Sequence, residues 1–253
     1  TFSLAQANEA STPLVQVLHN SFVSAEKCQR LQSIASDADV QLRHTDVERT
    51  LPEELREAVA DASLVVLDGP RPGDRAMLEQ RLEQAEAGAS IPRLTVGGGP
   101  TVWANIASQY GGVLAAHYAA GGEQGFQRFF GLAKALHDGI DPAPELLEPA
   151  RQLPSTGFYH PQAPQVFADF DAYLAWYDTR PQAATSTGRV AFLTHSGKVS
   201  DMLTRNLNEL VTRSEAAGIT PVVFWFDGAG PDDLVDILGT DRIDALVNLT
   251  HLQ

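Results

Sequence analysis

The chain has 253 residues, 43% apolar and 20% charged, which suits one or two globular domains and excludes a disordered or fibrous chain. Eighteen Lys and Arg against thirty-two Asp and Glu leave a net charge of −14, which argues against nucleic acid or an anionic membrane as partner, because phosphate binding needs clustered positive charge. The single cysteine, Cys28, excludes an intrachain disulfide and a multi-thiolate cluster, and no apolar run approaches the roughly 18 residues that span a bilayer.

Residues 1–12 read as a tail or the remnant of a leader. Ala5-Gln6-Ala7 fits the small-residue pattern cut by signal peptidase, which would place the mature chain in the periplasm; without cleavage the expectation is the cytoplasm. From 13 to 140 strand and helix patterns alternate. Strands are expected at 14–19, 40–44, 64–68 and 93–96, and helices at 24–36, 52–61 and 75–87. Ser24 is a good N-cap for the first helix and Gly88 a good stop for the third. Leu64-Val65-Val66-Leu67 is continuously apolar, as in a strand buried on both faces. Such alternation implies right-handed crossovers and a doubly wound, flavodoxin-like parallel sheet. Gly97-Gly98-Gly99 is expected to turn into a helix over 101–110, and one or two helices follow over 112–139, with Phe126, Phe129, Phe130, Leu132 and Leu136 on the apolar face.

Residues 141–188 are proline-rich and read as a connector with one helix near 166–176 and a solvated linker at 182–188. At 189 the alternation restarts: strands at 189–194, 220–226 and 243–249, helices at 199–217 and 231–238. The expected fold is therefore α/β, with two doubly wound parallel-sheet (Rossmann-like) units joined by a Pro-rich helical connector. The second unit is expected to be incomplete, its last strand uncovered, as in a piece of a longer protein.

In such sheets ligands bind beyond the carboxyl ends of the strands, where the strand order switches. An order 2-1-3-4 places that crevice between the first and third strands. One edge then collects His19, Asn20, His44, Asp68 and the turn Gly97, Gly98, Gly99. Imidazole with carboxylate suits a divalent ion, making His19, His44 and Asp68 the metal candidates. The spacing matches no known ligand motif, however, and polar residues often end strands as satisfied loop residues. The glycine turn either presents backbone N–H groups to an anion or permits close approach of two chain segments. His195 follows the first strand of the second unit and His251 its last, and His195 is a further ligand-binding candidate. No G-x-S-x-G elbow and no P-loop is present, so neither a hydrolase triad nor a nucleotide site is expected. Cys28, within the first helix, reads as a small core residue, and Phe170, Tyr173 and Trp176 as core aromatics.

Gly157-Phe158-Tyr159-His160-Pro161, then Phe167 and Tyr173-Leu174-Ala175-Trp176-Tyr177, resembles the G-[IF]-Y-H-P…Y-L-x-W-Y segment of the CobN family, the large subunits of cobaltochelatase and magnesium chelatase. Arg189–Leu193, Glu215-Ala216-Ala217-Gly218 and Asp244-Ala245-Leu246-Val247-Asn248-Leu249-Thr250 resemble the strand, helix stop and strand that follow there. Gly121-Gly122-Glu123-Gln124 sits where the family has G-G-x-E-N and departs from it at Gln124. The likeness extends over about 110–253. It implies insertion of a divalent metal (Co2+, Mg2+ or Zn2+) into a corrin or porphyrin, together with AAA+ ATPase partner subunits. It also admits exported relatives that bind, deliver or dechelate haem or another tetrapyrrole. His160 and Tyr159 are the catalytic candidates within the matched segment, the favoured alternative being that Tyr-His-Pro merely fixes a turn, and the remaining catalytic residues are expected beyond Gln253. The bland expectation is a scaffold that docks other subunits.

Overall fold

The computed structural model describes residues 12–87, 89–226, 231–239 and 241–250, so Ala5-Gln6-Ala7, Gly88 and His251 lie outside the described residues. The chain forms two compact Rossmann-like units, dividing after Arg151.

The first unit runs β1 (Leu14–His19), α1 (Ala25–Asp37), β2 (Gln41–Asp46), α2 (Pro52–Ala60), β3 (Leu64–Asp68), α3 (Pro72–Gln84), β4 (Arg93–Val96), β5 (Val102–Ala104), α4 (Ser108–Ala120) and α5 (Gly122–Asp138). Its sheet has the order β2-β1-β3-β4-β5, with β1 parallel to β2 and β3, and β3 parallel to β4. Every residue of β1 and β3 is buried, as a central strand covered on both faces must be. Each large aliphatic side chain sealed there contributes about 1.5–3 kcal/mol, which outweighs any local propensity. Capping sets the helix starts. The Ser24 hydroxyl accepts from the Lys27 N–H, while Glu54 and Asp74 accept from the backbone N–H groups of Leu51 and Arg71, ahead of Pro52 and Pro72. Gly121 and Gly122, both at positive φ, separate α4 from α5, whose buried face carries Phe126, Phe129, Phe130 and Leu132.

One expectation fails here. The segment after the glycine turn is not a helix from 101; it returns as β5, antiparallel to β4. Gly97, Gly98 and Gly99 all take positive φ, which reverses the chain and leaves Val102 and Trp103, good strand formers, at the sheet edge.

The second unit runs β6 (Gly157–Tyr159), α6 (Phe170–Tyr177), β7 (Gly188–Leu193), α7 (Gly197–Ser200), α8 (Arg205–Ala216), β8 (Ile219–Trp225), α9 (Pro231–Leu238) and β9 (Ala245–Asn248). The order is β6-β8-β7-β9, with β7 parallel to β8 and β9 and β6 antiparallel to β8. The segment read as a connector thus supplies an edge strand. Gly157 is obligatory in it, because a Cβ there would sit 2.2 Å from Cζ2 of Trp225. Residues 166–169 are extended rather than helical: Phe167 pairs with Phe158, and Asp169 caps α6 by accepting from the Ala172 N–H. The helix expected over 199–217 is two, α7 and α8, with Met202 at positive φ between them. Phe158, Phe170, Tyr173, Tyr177 and Phe224 fill the core, so Phe170 and Tyr173 are interior as expected, whereas Trp176 is only half-buried against them. All four residues of β9 are exposed.

Candidate functional site

The first sheet's switch lies between β1 and β3. Register places His19 beside Asp68 on one side and Asp46 on the other, and His44 beside Val17. Asp68 does not face an open crevice. Its Oδ2 accepts from Lys27 Nζ at 2.8 Å and from the Tyr118 hydroxyl at 2.9 Å, in an ion pair whose side chains are each 8% exposed. It fastens α1 and α4 to the end of β3, which takes it out of the expected metal set. Asn20 is buried and closes the turn after β1: its Oδ1 accepts from the Phe22 N–H and its carbonyl from the Val23 N–H.

His19 and His44 do come together, and with Cys28 rather than Asp68. One ligand atom from each of the three lies within 4.8 Å of the others. His19 Nδ1 is 2.8 Å from the Asn20 carbonyl, which can only accept, so Nδ1–H donates there and Nε2 is the nitrogen left to face a ligand. That Nε2 faces Cys28 Sγ at 3.9 Å. The His44 ring stands edge-on to His19, centroids 5.8 Å apart. Both His44 nitrogens are buried and neither makes a hydrogen bond. An unmet buried polar group costs about 1–3 kcal/mol, so this arrangement is not a satisfied strand end. Burial first, then His19, with Lys27 in the same direction, push the His44 pKa down to about 4 against opposing pulls from Asp68 and the Cys28 backbone; the imidazole is neutral at physiological pH. Burial likewise raises the Cys28 thiol, with Lys27 pulling the other way. Cys28 is only half-buried and is not core. Sequence reasoning missed it because its helix pattern looked interior. The usable signal was position: the first turn of a helix leaving β1 overhangs the carboxyl edge of the sheet.

Gly97 and Gly98 permit close approach rather than cradle a ligand. A Cβ on Gly97 would lie 2.4 Å from the Gly69 carbonyl oxygen, and one on Gly98 2.5 Å from that of Arg71. No helix follows the turn directly, since β5 comes next; the N-terminus of α3 borders it, with Gly98 close against Arg71 and Pro72, and beside Gly99 the neighbouring Pro100 carbonyl accepts from Arg75 Nη1. A cavity of about 530 Å³ opens at the opposite edge of this sheet, lined by Pro13, Leu64, Pro92, Ile106, Tyr110 and Leu136 among others, away from the His-Cys cluster.

In the second unit His160 is 2% exposed. Its Nδ1 accepts from the Gln162 N–H, so Nε2–H donates to Glu215 Oε1 at 3.3 Å. The same oxygen accepts from Arg180 Nη2 at 3.0 Å and the Tyr177 hydroxyl at 3.2 Å. Arg180 also lies over the Trp176 ring, 5.0 Å from its centroid. Burial, then Arg180, hold His160 below its ordinary pKa against Glu215, leaving it neutral. Tyr159 donates to Asn208 Oδ1 at 2.7 Å. Both side chains therefore bolt the strand-turn segment to α8. His195 is exposed at the end of β7, its Nε2 3.3 Å from the Thr250 carbonyl.

Residues 115–253 match the family model described as CobN/Magnesium Chelatase. Among solved structures, the catalytic subunit of cobaltochelatase from Mycobacterium tuberculosis superposes with a TM-score of 0.59 at 19% identity, over 94% of this chain and 18% of that one. The chain thus spans under a fifth of that subunit's length, and identity this low speaks for the fold alone. No curated protein matches.

Proposed function

Since more than half of it carries that family's signature, the chain belongs to the CobN/magnesium chelatase family, and we propose that it serves as the N-terminal part of a large subunit inserting a divalent metal into a tetrapyrrole. The observation that carries this reading is the match over residues 115–253, which takes in the whole second unit. Insertion must strip water from the metal and protons from the pyrrole nitrogens while the macrocycle is held distorted. The family resemblance implies partner subunits of the AAA+ ATPase type as the source of the driving energy. Within this chain, the His160–Glu215–Arg180 lock holds the matched segment rigid, as a frame for pocket residues supplied elsewhere in the subunit. The test is the full subunit with its ATPase partners, ATP, a corrin or porphyrin, and Co2+, Mg2+ or Zn2+ in turn. The expected result is an ATP-dependent change in the tetrapyrrole absorption spectrum with one of these metals. No change with any of the three would overturn insertion, and ATP-independent loss of metal from haem would replace it with dechelation.

A further inference from the structure

We propose that His19, Cys28 and His44 form a binding site for a borderline-soft divalent cation of the Zn2+ or Co2+ class, with a fourth coordination position open to solvent or an exchangeable ligand. This does not rest on the chelatase reading, since all three residues lie ahead of the family-matched segment.

Three independent features converge. The donors are already close: a tetrahedral ion with metal–nitrogen bonds of about 2.0–2.1 Å and a metal–sulfur bond of about 2.3 Å needs donor atoms roughly 3.4–3.6 Å apart. The present separations are 3.9 Å from Cys28 Sγ to His19 Nε2 and none above 4.8 Å, within about 1.5 Å of that geometry. Next, His19 is pre-set. The hydrogen bond from its Nδ1 to the Asn20 carbonyl fixes the tautomer and aims Nε2 inward, the arrangement by which metal-binding imidazoles are usually oriented. Finally, His44 brings two buried nitrogens that no protein group satisfies. A nucleophilic Cys–His pair would use one imidazole and leave the second unexplained; a cation uses both. The donor set decides the class of ion. Two imidazoles and a thiolate suit Zn2+ or Co2+, whereas Mg2+ and Ca2+ demand oxygen ligands. Of the two carboxylates that flank His19 in the sheet, Asp68 is held by Lys27 and Tyr118, and Asp46 accepts from the Glu48 N–H. Cys28 and His44 are only part-buried, which leaves the ion a way in.

Cobalt reports directly on sulfur ligation. Reduced, chelator-stripped protein titrated with Co2+ should develop a saturable thiolate-to-cobalt charge-transfer band at a single cobalt per chain. Zn2+ should abolish the band, and a large excess of Mg2+ should not. Cys28→Ser should remove it, and His44→Gln should weaken cobalt binding by about tenfold or more. No band, a band that survives in Cys28→Ser, or displacement by Mg2+ would overturn the site. If Cys28→Ser fails to fold, alkylation of the wild-type thiol by iodoacetamide decides: Zn2+ should slow it, and an unchanged rate with Zn2+ refutes the proposal. Either failure leaves the chelatase assay standing.

Discussion

Two largely buried carboxylates, Asp68 and Glu215, each tie separate elements together. Glu215 receives His160, Arg180 and Tyr177 on one oxygen, with its own side chain and that of Arg180 each 11% exposed. Removing it strands a buried guanidinium, so Glu215→Ala should cost about 3–5 kcal/mol in a denaturant titration. The pH dependence follows from His160. Its folded pKa lies below the ordinary value of 6.5, so on acidification the unfolded chain takes up the proton first. Stability should therefore be full above pH 6.5 and fall as the pH drops below it. Glu215 on α8, Arg180 after α6 and Tyr177 on α6 are titratable or charged groups facing the ring, beside the Gln162 N–H and the Trp176 indole. His160→Gln should flatten that acid slope in thermal melts run at stepped pH. Asp68 was legible as the end of a strand at the switch point, but its burial against Lys27 was not, because that contact joins residues 41 apart in sequence. Asp68→Asn should lower stability while leaving the cobalt band of the His-Cys cluster intact.

At the level of elements, the alternation of apolar runs with capped helices was readable in β1 to β4, because central parallel strands write their burial directly into the sequence. The two antiparallel edge strands were not. β5 hides behind Gly97–Gly99, whose spacing fits a helix entry or a hairpin equally well, and only the signs of φ separate them. β6 hides among prolines, and its partner β8 lies some 60 residues further on. These turns allow a direct test. Gly97→Ala must place a Cβ 2.4 Å from the Gly69 carbonyl oxygen at φ +79° and should destabilise by more than about 1–3 kcal/mol. Gly73, in the first turn of α3 with nothing within 4 Å of its missing Cβ, is the control: Gly73→Ala should stabilise by about 0.4–1 kcal/mol. Paired melting curves of the two variants read both signs in one experiment.

For the molecule as a whole, a charge of −14 keeps chains apart, and the liability is local. β9 presents Leu246 and Val247, 45% and 39% exposed, on a strand that pairs with β7. An open apolar strand invites edge-to-edge association. Leu246→Lys should reduce light scattering of concentrated protein without changing its far-ultraviolet circular dichroism. The chain's place in its family was legible from the Gly157–Tyr177 motif, yet the residues that made it recognisable turn out to be fasteners, and the His-Cys cluster lies outside the matched stretch. That cluster draws on β1, α1 and β2 alone, and β2 is the outermost strand of its sheet. An ion clasped there would lend its affinity to an edge strand, and amide exchange along 41–46 would slow in step with the free metal concentration. Metal supply would then set how long this margin of the protein stays shut, making the fold itself a gauge of the ions around it.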